Sequence, residues 1–235
     1  MSSSAISVRS LSVNYPDGRK GIEDISFEIE QGESVAILGA NGAGKSTLLL
    51  ALVGVLGGTG EIEIAGMPVN SKSLSKVRAK AQLVFQDPND QLFSPILADD
   101  IAFGPRNFGA HGDEIDGIVS RSLEAVGLKG FEERQTHSMS LGEKKRAAIA
   151  SAIACKPEIL LMDEPSAGLD PRGARLLAKL LDALDCTKLI STHDLRFAKT
   201  VCTRAIVMSE GTIAAIGSTQ DILSDASLLS ACGLK

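Results

Sequence analysis

Residues 39–47 read GANGAGKST, and no other stretch restricts the fold of this chain so tightly. Gly39, then Ala40, Asn41, Gly42 and Ala43, then Gly44-Lys45-Ser46, fits the G-x-x-x-x-G-K-[ST] phosphate loop. The backbone N–H groups of such a loop wrap a triphosphate while the lysine reaches its outer phosphates. The loop requires a strand before it and a helix after it. Ser34–Leu38 is a short apolar run suited to a buried parallel strand, and Thr47–Val53 is a run of helix formers whose positive end would face the phosphates. The pattern predicts an α/β core that binds a nucleoside triphosphate through residues 39–47, with Ser46 on a Mg²⁺ ion.

Around this loop the chain alternates strand and helix patterns. Ile6 to Tyr15 alternates apolar and polar residues, Pro16-Asp17-Gly18 turns, and Ile25, Phe27 and Ile29 alternate again, which predicts an antiparallel β region ahead of the loop. Glu61–Ala65 and Gln82–Phe85 read as further strands. From Asp87 the composition shifts to turn residues, with Ser94 and Pro95 placed as N-cap and first residue of a helix, and Glu114–Val126 reads as helical. Residues from about Asp87 to Cys155 are expected to form a helical subdomain inserted in the core. Ser140-Leu141-Gly142-Glu143 has the S-x-x-E spacing of a capping box and opens a helix ended by Pro157, with Lys144-Lys145-Arg146 on its solvated face. Another helix starts at Asp170-Pro171. Ala205–Met208 and Thr212–Ile216 form a last β pair, followed by a short helical tail to Lys235.

Phosphoryl transfer to water needs a cradled triphosphate, a metal and a group that orients the attacking water. Ile159–Met162 is an unbroken apolar run, as expected of a central parallel strand, and it delivers Asp163 and Glu164 at its end. Asp163 is placed as the Mg²⁺ partner and Glu164 as the residue that polarises water. Leu189–Thr192 is a further strand and delivers His193, placed to hydrogen-bond the γ-phosphate. Gln86, also at a strand end, suits either the metal shell or an ordinary loop position. Tyr15, the one tyrosine, suits either an adenine stack or a core position. His111 and His137 lie in polar stretches and receive no role.

Composition narrows the partners. The 235 residues carry 29 acidic against 24 basic side chains, a net charge of −5 with no basic stripe, which argues against nucleic acid or an anionic membrane as an electrostatic partner. The four cysteines, Cys155, Cys186, Cys202 and Cys232, form no C-x-x-C pair, so a reducing cytoplasm is expected. Residues 1–4 open without the basic and apolar segments of a leader, and the longest apolar stretch, Leu48–Leu56, is far short of the ~20 residues of a membrane helix.

Together these segments resemble the ABC-type ATPases over nearly the whole chain. The phosphate loop, ILLMDEP at 159–165, SAGLDP at 166–171 and STHD at 191–194 occur in that family's order. The resemblance implies a mostly parallel sheet with helices, an antiparallel β region and a helical insertion. It further implies ATP and Mg²⁺, a Q-loop at Gln86, a D-loop through Asp170, a switch histidine at His193 and an adenine-stacking aromatic at Tyr15. The family's signature, usually LSGGQ, stands here as Met139-Ser140-Leu141-Gly142-Glu143. Ser140 and Gly142 are kept and would present a helix end to a phosphate held by the opposing subunit, while the first glycine is leucine and the glutamine is glutamate. That departure bears on how tightly a closed dimer forms.

VNYPDG at 13–18 and FQDPNDQLFSPILADDIAFGPRNFG at 85–109 are similar to the ATPase components of energy-coupling factor importers, especially the cobalt and nickel group. This narrower resemblance implies a peripheral protein on the cytoplasmic face of the cell membrane. Its implied partners are a second copy or a homologous ATPase, a transmembrane scaffold and a substrate-binding membrane subunit. The short C-terminal tail implies a weak isolated dimer. A vitamin importer of the biotin type is the alternative cargo class. A soluble ABC ATPase acting on DNA or ribosomes is disfavoured by the acidic balance and the lack of a coiled-coil insertion. A GTPase is disfavoured because no N-K-x-D segment occurs.

Overall fold

The computed structural model describes residues 4–234. Strands β1 (Ser4–Asn14) and β2 (Lys20–Glu30) pair antiparallel, with Val8 opposite Phe27, and their alternation buries Ile6, Val8, Ile25 and Ile29 on one face. Strand β3 (Ser34–Leu38) precedes the phosphate loop and α1 (Lys45–Leu52) follows it. Strands β4 (Thr59–Ile64) and β5 (Met67–Pro68) complete an antiparallel sheet of order β2-β1-β4-β5. Helix α2 (Leu74–Lys80), unforeseen in the sequence, leads into β6 (Ala81–Val84).

Three helices separate β6 from the next strand: α3 (Leu97–Asn107), α4 (Asp113–Ala125) and α5 (Leu141–Ile153). Helix α3 does not begin at Ser94-Pro95 as the residue types suggested. Asp100 reaches back to accept the N–H groups of Phe93 (3.0 Å) and Ser94 (2.9 Å), and Ile96 bridges Gln135, so Ser94 and Pro95 stay in the loop and Ile96 becomes the N-cap residue. Beyond them come β7 (Ile159–Asp163), α6 (Pro171–Asp182), β8 (Thr187–Thr192) and α7 (Leu195–Val201). The chain closes with β9 (Arg204–Ser209), β10 (Thr212–Ser218), α8 (Thr219–Ser224) and α9 (Ala226–Ala231), while Lys235, the expected end of the tail, and Met1–Ser3 lie outside the described residues.

The second sheet has the order β10-β9-β3-β8-β7-β6, parallel except for β10. Its central strands are buried on both faces, which is why they read as continuous apolar runs. Alternate residues separate two cores. Leu38, Leu160, Met162 and Ile190 face the helices α3 to α7, whereas Val35, Ile37, Leu161 and Leu189 face α1 and the antiparallel sheet. Because β3, β8, β7 and β6 are parallel neighbours, the segments that leave their C-terminal ends emerge side by side. That edge carries the phosphate loop, His193, Glu164 and Gln86 in this order.

Candidate nucleotide site

The phosphate loop is held by close packing at its two key glycines. A Cβ on Gly39 would stand 2.7 Å from the Met208 carbonyl oxygen, and one on Gly44, whose φ is 98°, would stand 2.7 Å from Ile22 and 2.9 Å from the Gly21 carbonyl oxygen. Only glycine fits at either place. Lys45, the first residue of α1, is 6% exposed, and its Nζ donates to the carbonyls of Gly39 (2.8 Å) and Ala40 (3.1 Å). Ser46 is exposed, while Thr47 is buried and its Oγ1 bonds the Tyr15 hydroxyl at 2.7 Å.

An open cleft of about 500 Å³ lies over the loop. It is lined by Tyr15 and Gly21 on one side, by Asn41, Gly42 and Gly44 to Thr47 below, and by Gln86 and Glu164 on the other. Tyr15 is half-buried, and the Arg19 guanidinium lies 5.6 Å from its ring centre. Arg19 and Lys20 also line the cleft and were not singled out in the sequence, although a basic pair after the Pro16-Asp17-Gly18 turn was the available signal.

Glu164 is buried and sits at φ 43°, an uncommon backbone for a non-glycine residue. Its N–H donates to the Ser191 carbonyl and Oγ, both at 3.1 Å, and the Ser191 hydroxyl donates to Asp163. The Glu164 carboxylate lies between two cationic or polar groups: Lys45 Nζ is 3.4 Å from Oε1, and His193 Nδ1 is 3.0 Å from the same oxygen. Thus the residues at the ends of β3, β7 and β8 meet in one cluster, with His193 bound to Glu164.

Ser140 and Gly142 lie elsewhere, at the start of α5, outside the set of residues lining the cleft. The Ser140 capping box is formed with Glu143. Asp170 accepts the N–H of Gly173 at 2.6 Å as the N-cap of α6.

The basic run after Ser140 is not a solvated face. Lys144 donates to Asn89 Oδ1 at 2.8 Å, but Lys145 is only 6% exposed and its Nζ donates to the backbone carbonyls of Glu164 (3.1 Å) and Gln86 (3.3 Å). Burial pushes the Lys145 ammonium below the usual lysine range, against the opposing pull of Glu164, Asp87 and Asp163. The signal was available: Lys145 shares the helical stripe of Ala148, Ile149 and Ala152, all buried.

Ser46 and Gln86 bring oxygen donors to the cleft, Asp163 stands at the end of β7 next to Glu164 but is not among the cleft-lining residues, and among the described residues no group of three or more His, Cys, Asp or Glu forms a self-sufficient metal cage. A sparse oxygen set of this kind fits Mg²⁺, which keeps waters and takes phosphate oxygens.

The sequence profile described as ABC transporter matches residues 22–167. The chain belongs to the ABC transporter ATPase family. This ATPase is 44% identical to the energy-coupling factor transporter ATP-binding protein EcfA of Methanothermobacter thermautotrophicus, over 98% of its own length and 76% of that protein. Among solved structures it is similar to cbiO1 from Clostridium perfringens, described as part of the ABC transporter complex cbiONQ, with a TM-score of 0.85, 36% identity, and coverage of 99% of this chain and 95% of that one. It is also similar to the dimeric post-hydrolysis state of the ATP-binding cassette MJ0796 bound to ADP and Pi, with a TM-score of 0.81, 26% identity, and coverage of 91% and 98%. It is the ATP-hydrolysing part of a transporter. Among the described residues no helix is long and apolar enough to cross a membrane.

Proposed function

We propose that the ATPase energises an energy-coupling factor importer for cobalt or nickel, from the cytoplasmic face of the membrane. The likeness to cbiO1 over 99% of the chain and to EcfA supports the energy-coupling factor transporter class, and the cobalt or nickel cargo rests on the resemblance of residues 13–18 and 85–109. The whole chain acts as one ATP-binding domain, in which the helices within residues 87–155 serve as a movable subdomain.

In this reading two copies, or this chain and a homologue, face each other across two ATP molecules. Tyr15 stacks on adenine, residues 39–47 cradle the phosphates, and Lys45 exchanges its Glu164 contact for phosphate oxygens. Ser46, Gln86 and Asp163 would hold a Mg²⁺ ion, which would supply charge neutralisation on the phosphates. Ser140 and Gly142 close over the partner's γ-phosphate, with Asp170 at the dimer seam. His193 holds the γ-phosphate, and Glu164 polarises the attacking water.

A second groove, of about 450 Å³, runs from Gln86 and Pro88 to Leu141 and Gly168. Exposed aromatics flank this stretch of sequence: Phe85, and the Phe93–Phe103 pair packed edge-on at 5.0 Å. We assign this surface to the membrane scaffold subunit. Two experiments test the reading. Glu164→Gln is expected to keep ATP binding, lose about 10²–10⁴ in turnover and accumulate as a dimer, and wild-type turnover would sink the base role. Purification of the tagged chain from detergent-solubilised membranes is expected to recover an integral scaffold and a metal-binding membrane subunit. A vitamin-binding subunit would change the cargo, and soluble partners alone would discard the importer.

A further inference from the structure

Glu164 holds a left-handed backbone with φ 43° although it is not glycine. A non-glycine residue in that region is strained and persists only where its surroundings hold it. On its N–H side the hold is Ser191, which accepts through both its carbonyl and its hydroxyl. On its carbonyl side the hold is Lys145, which arrives from the middle of the first turns of α5. The same ammonium holds the Gln86 carbonyl. One buried cation therefore joins the loop after β6, the loop after β7 and the helix that begins at Ser140.

Burying an ammonium is costly unless it is well bonded, and an apolar side chain at this position of α5 would avoid that cost. Its contacts are to main-chain atoms of the two residues whose side chains enter the nucleotide cleft from that side. We propose that Lys145 is a positioning residue for hydrolysis, fixing the Glu164 peptide and the Gln86 loop as one unit carried by α5. The proposal rests on Glu164 as the water-polarising group. It implies that movement of α5 is felt by the Glu164 carboxylate directly, without passing through the phosphate loop. Lys145 hydrogen-bonds neither residues 39–47 nor Tyr15, which carry most of the proposed ATP binding, and it meets the Gln86 loop only through a main-chain carbonyl.

The test uses the full chain with ATP and Mg²⁺. Lys145→Met is expected to lower kcat by about 10- to 100-fold, the scale of a catalytic group displaced by an ångström or so. The directly titrated ATP Kd should stay within about threefold of wild type, since the lost interaction matters only for the chemical step. Lys145→Arg, which keeps two donors for the two carbonyls, should recover most of the lost kcat. A wild-type kcat in Lys145→Met, or a parallel loss of kcat and ATP affinity, would overturn the proposal. Should Lys145→Met fail to fold, the same split is read in Lys145→Gln, whose donor stands one atom short. Wild-type kcat there would mark Lys145 as structural only. Glu164→Gln run alongside separates the two ideas: if it is inactive while Lys145→Met is normal, only the Lys145 role fails, and if it is itself normal, the Glu164 role fails first.

Discussion

Helices α1 and α5 both start at segments assigned to phosphate, one on the chain's own nucleotide and the other on its partner's, yet their N-termini are finished in opposite ways. The N-cap of α1 is Gly44 at φ 98°, with no side-chain cap. Its leading N–H groups are therefore left to the cleft, beside the Lys45 ammonium. The N-cap of α5 is Ser140, whose N–H and hydroxyl both donate to Glu143 Oε2 at 2.8 Å, while its Oγ accepts the Glu143 N–H at 3.4 Å. One helix end is open to an anion and the other already holds one. In the proposed reading ATP meets uncapped N–H groups at α1, whereas a phosphate arriving at α5 meets a carboxylate where the family signature usually carries glutamine.

The largest effect should come from removing the cation at the open end. Lys45→Ala is expected to weaken ATP binding by on the order of 10²-fold, the scale of charge-assisted hydrogen bonds lost together. Titration calorimetry on the isolated chain measures this, and unchanged affinity would mean that the loop does not cradle phosphate. The same substitution leaves the buried Glu164 carboxylate with His193 as its remaining side-chain contact.

A smaller change, of opposite sign, is expected at the occupied end. Glu143→Gln keeps the capping geometry and removes the charge, so ATP-dependent dimerisation should tighten by roughly fivefold, matching about 1 kcal/mol for like charges 4 Å apart in water. The Ser140 N–H, bonded to the carboxylate, holds the Glu143 pKa below its ordinary value of 4.5. A depressed carboxylate pKa contributes stability above the unfolded value, lost as pH falls through the folded one. Glu143 therefore stays ionised from pH 6 to 8, and the gain in the variant should be flat across that window by sedimentation. A gain that appears only at one end of the window would place the repulsion on another group.

The contrast between the two ends also marks what could be read from the sequence. The phosphate loop, the apolar run before Asp163 and the Ser140 capping box are local patterns, and each was legible because its partners lie within a few residues. For Lys145 the apolar stripe of α5 marks a buried face, but the carbonyls that accept its ammonium lie 19 and 59 residues away in the chain, so its role is not local. The start of α3 departs from its Ser-Pro signal for a related reason: Asp100 and the Gln135 bridge take over the backbone groups that a Ser-Pro start would organise. Lys45, Glu164 and His193 each carry a local sequence signal, but the contact of His193 with Glu164 follows from the β3-β8-β7 strand order, which no single segment encodes.

The smallest expected effect separates the structural and functional parts of the occupied helix end. Ser140→Ala removes the hydroxyl that caps α5 and should cost about 1 kcal/mol of stability, the usual value for an N-cap. In a chain of this size that lowers the melting temperature by about 2–4 °C. Glu143→Gln, by contrast, retains an N3 side chain able to bond the Ser140 N–H, so its melting temperature should stay near wild type. The two substitutions then move in different directions: one loosens the helix end and removes a phosphate donor, the other leaves the end intact and removes only the competing charge. Differential scanning calorimetry without nucleotide reads the first effect cleanly, because neither residue touches the chain's own cleft. If Ser140→Ala melted like wild type while Glu143→Gln melted lower, the glutamate rather than the serine would be holding α5, and the charge at this end would be explained by stability instead of by control of the dimer.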